Sequence, residues 1–361
     1  MAKRVFNFNP GPSILPLEVL QQVQNELLDY RGTGMSIMES SHRSKEFEEI
    51  NDTTIALVRE LFGLSDKYHV LFLTGGASSQ FFMLPMNLLN PGDVVAYVDT
   101  GAWSSKAIKE AKLFGEVNLA ASSKDENYRF IPKMSDIKFT TNSRYLHITT
   151  NNTIKGTQYH TFPKTGQVPL VADMSSDIAS RKLDYTQFVM FYAGAQKNLG
   201  PSGVTLVCMH DDMLQQCKDG LPTMLSYKTH AKEKSLYNTP PAFGIYVMKL
   251  ILEWIKRNGG LAGMDKLNTA KKERIYQMMD LFPDYYRGTV DKDSRSWMNI
   301  TLRLPSEDLE KKFIAEAKEA GFVGLKGHRS VGGVRVSLYN ALPLEGAEKL
   351  AAFMDAFRKK N

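Results

Sequence analysis

The sequence predicts an α/β fold, with a mainly parallel sheet under helices on both faces and a smaller α+β unit after it. Three observations predict it. Apolar periodicity alternates between helix and strand through the first two thirds of the chain. The strand candidates are short, β-branched-rich and apolar on both faces, as strands covered on both sides must be. Beyond Asn258-Gly259-Gly260 strands become fewer and charge denser, which marks a change of architecture.

The elements follow in order. Leu17, Leu20, Val23, Leu27 and Leu28 share one helical face. A second helix starts near Ser44 and carries Phe47, Ile50, Val58 and Leu61 inward. Residues 69–73 form a buried strand that ends at Gly75-Gly76. Further strands are expected over 94–98, 145–149, 168–172, 188–192 and 204–209, and an amphipathic helix over 241–257 stops at Gly259-Gly260. Helices over 270–281, 306–320 and 345–357 then flank strands at 298–302 and 334–338.

Composition narrows the function classes. With 361 residues, 43% hydrophobic and 23% charged, the chain is long enough for about two domains and too apolar for extended disorder. The net charge of +6 comes from 45 basic residues interspersed with 39 acidic ones, with no continuous basic stripe. That pattern argues against a nucleic-acid-binding protein and for small anionic ligands. Cys208 and Cys217 are the only cysteines and have no metal-ligand spacing, so no metal is expected and a reducing compartment, the cytoplasm, is. The N-terminus has no apolar signal core, and the best apolar stretch, 245–255, is broken by Lys249 and Glu253, so neither export nor membrane insertion is expected.

The chemistry-bearing residues sit at predicted strand ends. The strand at 188–192 runs into Ala-Gly-Ala-Gln-Lys-Asn-Leu-Gly, a polar glycine-rich loop whose one lysine is Lys197. A poorly solvated lysine there has a lowered amine pKa and becomes a nucleophile toward aldehydes, although a solvated loop lysine has the same sequence signature. Asp173 ends the strand at 168–172, at the sheet edge where open α/β folds bind ligands. A carboxylate in that place can keep a pyridine nitrogen protonated, the partner a pyridoxal ring requires; a turn or helix cap is the plainer role, and Asp177 competes for the same task. Thr74-Gly-Gly-Ala-Ser-Ser-Gln80 joins a strand to a helix, so its backbone N–H groups can cradle a phosphate. Trp103 lies beyond another strand end, where an indole can stack on an aromatic ring or simply pack. His42-Arg43, His328-Arg329 and Arg335 supply donors suited to carboxylate and phosphate, and their recurrence in glycine- or serine-flanked segments suggests convergence on a doubly anionic substrate.

Taken together, Asn9-Pro-Gly-Pro12, Ser41-His-Arg-Ser44, Asp99-Thr-Gly-Ala-Trp-Ser104, Asn152-Thr-Ile-Lys-Gly156, Ala172-Asp-Met-Ser-Ser-Asp177, Tyr192-Ala-Gly-Ala-Gln-Lys-Asn198, Tyr237-Asn-Thr-Pro-Pro241 and Gly327-His-Arg-Ser-Val-Gly-Gly333 resemble the phosphoserine aminotransferase family of class V aminotransferases over almost the whole chain. The resemblance implies the type I fold of pyridoxal-phosphate (PLP)-dependent transferases. Its large domain, with a mainly parallel seven-stranded sheet, would span 16–258, and its small domain 1–15 and 259–361. It implies pyridoxal 5′-phosphate as cofactor, with Lys197 as the Schiff-base lysine, Asp173 on the ring nitrogen, Trp103 on the ring and Thr153 near the phenolic oxygen. Ala77, Ser78 and Gln196 would hold the cofactor phosphate, and Asn238 and Thr239 would reach that of a partner subunit in a homodimer with shared sites. Arg335 would anchor the substrate α-carboxylate; His42, Arg43, His328 and Arg329 would hold the distal group. The implied reaction is ping-pong transamination between L-glutamate and 3-phosphohydroxypyruvate, giving O-phospho-L-serine and 2-oxoglutarate, with 4-phosphohydroxy-L-threonine as a further product to consider. One departure stands out: some family members carry a basic residue where this chain has Ser78-Ser79. A cysteine desulfurase of the same fold would need an accessible thiolate, which neither cysteine's surroundings predict.

Overall fold

A computed structural model describes residues 4–361. The chain opens with β1 (Phe6–Asn7), α1 (Leu17–Glu26) and α2 (Lys45–Phe62). It continues through β2 (Tyr68–Leu73), α3 (Gly76–Leu88), β3 (Val94–Asp99), α4 (Ala102–Ala111) and β4 (Glu116–Ser122). Next come β5 (Leu146–Thr149), β6 (Leu170–Asp173), β7 (Met190–Gly194) and β8 (Thr205–His210), then α5 (Asp211–Leu214), α6 (Tyr227–Lys232) and α7 (Ala242–Arg257). The C-terminal part holds α8 (Gly260–Leu281), β9 (Arg287–Gly288), β10 (Asn299–Arg303), α9 (Glu307–Glu319), β11 (Phe322–Val323), β12 (Val334–Ser337) and α10 (Leu344–Lys360).

Seven strands form one sheet in the order β2-β8-β7-β6-β5-β3-β4. Strands β7, β6, β5, β3 and β4 pair in parallel, while β8 runs antiparallel between β7 and β2. One face buries Phe47, Ile50 and Val58 of α2 with Ile251 and Ile255 of α7. The other buries Phe81 and Leu84 of α3 with Ala107 and Ala111 of α4. Each large side chain removed from water in this way contributes about 1.5–3 kcal/mol, so the sandwich of helices is what makes the central strands hydrophobic on both faces.

A third core gathers Ile300, Val336, Phe313, Leu350 and Phe357 from the C-terminal elements, and Phe8 of the N-terminal segment is buried among them. The attachment is also made by the backbone, since β1 pairs in parallel with β11. Strand β10 lies between β12 and β9 in a separate antiparallel sheet.

Several expectations are corrected. The first helix ends at Glu26, and Leu28 is 85% exposed, so the apolar face does not extend through Leu27 and Leu28. The helix expected from 270 begins at Gly260: Gly259, at φ 88°, ends α7 and starts α8 without an intervening strand or loop, a break that a left-handed glycine makes in one residue. Strand β8, read as parallel, is the antiparallel member of the sheet. Edge strand β4 escapes a search for apolar runs because only one of its seven residues is buried. Cys217 lies buried in a turn after α5. Among the described residues no helix is long and apolar enough to cross a membrane.

Candidate active site

Parallel strands β5, β6 and β7 end side by side, with Thr149 in register with Asp173 and Asp173 with Tyr192. Their carboxyl ends therefore deliver three loops to one place, the edge at which open α/β sheets bind ligands. Asp173 is the last residue of β6, Lys197 follows β7 by three residues, and Thr153 sits in the loop after β5. Helix α3 adds its amino end, and β12 of the C-terminal sheet adds Arg335. A cavity of about 380 Å³ lies between them, lined by Ala77, Ser78, Trp103, Thr153, Asp173, Gln196, Lys197, His328 and Arg335 among others.

The Nζ of Lys197 is 2.7 Å from the Oγ1 of Thr153. Enclosure lowers its pKa from 10.5 to about 8; Asp173 opposes that shift and Arg335 reinforces it. A lysine so placed gives up its proton far more readily than a solvated one and offers a larger share of the neutral, nucleophilic amine at a given pH. Asp173 is 4% exposed and accepts the Ser175 N–H at 2.9 Å. Burial raises its carboxyl pKa, held in check by Ser175 and Lys197. A cationic ring nitrogen would offset that burial.

Asp177, the rival carboxylate, is turned away from the cavity. Its Oδ1 accepts the Thr150 hydroxyl, its Oδ2 accepts Gln158 Nε2 at 3.0 Å, and Arg181 lies 3.8 Å from it. The first carboxylate after the strand is thus the one that faces the lysine.

At the other end, Gly75 (φ 88°) and Gly76 (φ 65°) turn β2 into α3, leaving the N–H groups of the first turn, including Ala77 and Ser78, directed at the cavity wall. The α4 start beside them is fixed by Ser104, whose hydroxyl donates to Asp99 at 2.7 Å and accepts the Thr100 and Gly101 N–H groups at 2.9 Å. That network places Trp103, whose indole N–H is buried without a partner among the described residues. Lys197 Nζ lies 6.0 Å from the center of its ring. Arg335 is also incompletely paired: Nη1 donates to the Thr153 carbonyl at 3.2 Å, while Nε finds no acceptor among the described residues. Unused buried donors around an open cavity mark a site shaped for an acceptor-rich ligand.

Not every candidate converges. His42 and Arg43 contact one another at 3.4 Å outside the cavity lining, and Arg329 is exposed on the loop that carries His328. Asn238 and Thr239 are exposed, with Asn238 at a smaller separate cavity behind the start of α3. Conversely, Pro10 and Gly11 line the site unpredicted, with Gly11 backbone so near that an added Cβ would stand 3.2 Å from Lys197 Cγ. Ser13 fastens this segment by donating its N–H to the Gln196 carbonyl at 2.9 Å and its hydroxyl to that of Lys197. The Asn9-Pro-Gly-Pro12 motif was the available signal. Asn151, Ser175 and Ser176 also line the cavity, and only their place just past strand ends could have pointed to them.

The aminotransferase class-V family model matches residues 5–350. The chain belongs to the class-V aminotransferases. Phosphoserine aminotransferase of Geobacillus kaustophilus is 55% identical over 99% of both chains, and that of Lysinibacillus sphaericus 54% identical over the full length of both. The solved phosphoserine aminotransferase of Bacillus circulans subsp. alkalophilus superposes with a TM-score of 0.97 at 53% identity, covering 99% of each chain. The PLP-bound phosphoserine aminotransferase of Trichomonas vaginalis does so at 0.92, with 34% identity over 98% of this chain and 100% of that one. An aspartate aminotransferase of Thermus thermophilus, 19% identical with a TM-score of 0.79, shares the fold. The seven-stranded sheet and the strand-end lysine of this class-V aminotransferase are therefore the type I architecture of PLP-dependent enzymes.

Proposed function

We propose that this chain is a PLP-dependent transaminase that passes the amino group of L-glutamate to 3-phosphohydroxypyruvate, forming 2-oxoglutarate and O-phospho-L-serine. The single observation that carries it is the Lys197 amine, depressed to a pKa of about 8 and placed between Thr153 and the Asp173 carboxylate in a cavity walled by Trp103. Full-length relatives at 53–55% identity bearing that activity in their names support the substrate pair.

The residues present fit pyridoxal phosphate. The first turn of α3 and Gln196 suit its phosphate, Asp173 its ring nitrogen and the Trp103 indole its ring face. When bound, the cofactor supplies an aldehyde for covalent capture of amines and a protonated ring that accepts the electron pair left when the substrate Cα loses its proton. Lys197 Nζ would hold the cofactor at rest, and its amine, when free, is placed to act as general base toward the substrate Cα proton and as general acid in returning it. Thr153 keeps the amine oriented meanwhile. Asp173 would keep the ring nitrogen protonated. Arg335 pairs with the substrate α-carboxylate, which both substrates share. Their distal groups differ, a carboxylate in one and a phosphate in the other, and His328 and Arg329 accept either because Arg and His donors are not selective for charge count.

His42, Arg43, Asn238 and Thr239 fit this reading as contributions to the site of a second copy, in a homodimer with shared sites. Their placement outside the cavity lining, with Arg43, Asn238 and Thr239 exposed, supports that arrangement. The division into a large unit over 16–258 and a small one over 1–15 and 259–361 rests on the separate C-terminal core and its capture of Phe8; residues 1–3 of that division lie outside the described residues. Scarce, buried cysteines suit the cytoplasm. Borohydride reduction of the cofactor-loaded protein, followed by peptide mass spectrometry, should find the cofactor on Lys197 and nowhere in Lys197→Ala; attachment at another lysine would overturn the assignment.

A further inference from the structure

A second polar cleft, of about 550 Å³, opens between the α8 surface and the loops around His160 and Arg181. Its floor is the Trp297 indole. Lys272 Nζ sits 3.6 Å from the center of that ring, Arg181 Cζ 5.6 Å, and the His160 ring 5.8 Å. A tryptophan face attracts cations, which accounts for one of these neighbors but not for the crowding of two full positive charges and an imidazole on the same ring.

Their hydrogen bonding is incomplete in one direction. Arg181 is 7% exposed, yet beyond a bond from Nη2 to the Tyr159 carbonyl at 2.5 Å and the 3.8 Å approach to Asp177, its Nε is buried with no acceptor among the described residues. Lys272 Nζ has no hydrogen-bond acceptor among them either, its nearest partner being the indole. Partial burial lowers the Lys272 pKa; Glu273 and Asp265 oppose the shift and Arg181 adds to it. His160 donates Nε2–H to the Arg295 carbonyl at 3.0 Å, and burial with the neighboring Arg181 lowers its pKa to about 4, so it stays neutral and adds no second donor.

The carboxylates of the rim do not complete the set. Asp265 accepts the Lys182 N–H at 3.1 Å, Asp293 accepts the Ser294 hydroxyl at 3.0 Å, and Glu273 is exposed. Asp280 is taken by Arg295 through two bonds of 2.8 and 2.9 Å. What remains over the indole is the Lys272 ammonium and the Arg181 guanidinium, donors short of acceptors, and the ligand that satisfies donors only is an oxyanion.

We propose that this cleft is a binding site for a small oxyanion, a phosphate or carboxylate group held by Lys272 and Arg181 over Trp297, distinct from the active-site cavity. None of its lining residues is shared with that cavity. The chain has three tryptophans, so 5-fluorotryptophan labeling of the cofactor-loaded protein gives separate ¹⁹F resonances for Trp103, Trp254 and Trp297, assigned with Trp297→Phe. Titration with inorganic phosphate should shift the Trp297 resonance saturably. Lys272→Gln, which leaves the fold's own hydrogen bonds intact, should weaken that response about tenfold, as expected for loss of one charge-assisted bond. Sodium acetate in a parallel titration tells whether a carboxylate is accepted as readily as a phosphate; a saturable response to either, weakened in Lys272→Gln, supports the site. A Trp297 resonance unmoved by both anions, or one that moves equally in Lys272→Gln, overturns it. Activity plays no part in this readout, so the result stands apart from the proposed transamination.

Discussion

Thr153 holds Lys197 through its side chain and Arg335 through its backbone: its Oγ1 lies 2.7 Å from the lysine Nζ, and its carbonyl accepts the guanidinium Nη1 at 3.2 Å. One residue of the β5 loop thereby touches both the Lys197 amine, in the loop after β7, and the Arg335 guanidinium, on β12. The two functions separate by substitution. Thr153→Val removes the hydroxyl and keeps the carbonyl, so kcat should fall about tenfold, the worth of one hydrogen bond to a polar amine, while KM for glutamate changes little. Steady-state kinetics check this, and a rise in KM without loss of kcat would count against the role given to the hydroxyl.

The lowered amine pKa makes a pH prediction. Below about 8 the Lys197 amine of cofactor-free protein is protonated and unreactive, and above it the amine is neutral, so the rate of covalent cofactor capture should rise with pH and level off above that value. Asp173 raises the lysine pKa, so Asp173→Asn should move the midpoint to lower pH. Stopped-flow absorbance across a pH series measures it. A midpoint at the ordinary lysine value of 10.5 would show that the amine is not enclosed as described.

Arg335 and Arg329, both in the C-terminal unit, should separate in kinetics. Arg335 is buried, and in the proposed reaction it would anchor a group common to both substrates, so Arg335→Leu should lower kcat/KM for each by about 100-fold, in line with loss of a buried charge-assisted pair. Arg329 is exposed on its loop and belongs to the distal-group set that accepts either substrate, so Arg329→Leu should raise KM for 3-phosphohydroxypyruvate and for glutamate, by about tenfold, with kcat less affected than in Arg335→Leu. Equal effects of both variants on both substrates would remove the distinction drawn between the anchor and the distal group.

The central strands and the residues at their ends were legible in the sequence for one reason. A parallel strand buried on both faces is an apolar run with an abrupt polar end, and that end is where the ligand binds, so Asp173 and Lys197 announced themselves by position. Choosing Asp173 over Asp177 needed coordinates, because only the fold turns Asp177 toward Thr150, Gln158 and Arg181. The contribution of Pro10 and Gly11 was hidden because contact between residue 11 and residue 197 is set by how β1 joins β11, and two-residue strands leave no periodic trace. Edge strand β4 was missed for the opposite reason to the central strands, being largely exposed. The cleft around Trp297 draws its residues from His160 to Trp297 in ordinary surface-looking segments, and no local pattern marks them.

The most direct test of the central claim is a single half-reaction. Cofactor-loaded enzyme mixed with excess L-glutamate and no second substrate should release one equivalent of 2-oxoglutarate per chain and lose the visible absorbance of its lysine-bound cofactor. Addition of 3-phosphohydroxypyruvate should then restore that absorbance and yield one equivalent of O-phospho-L-serine. Retention of the absorbance in glutamate, or release of 2-oxoglutarate only when both substrates are present, would contradict transamination by the Lys197 site.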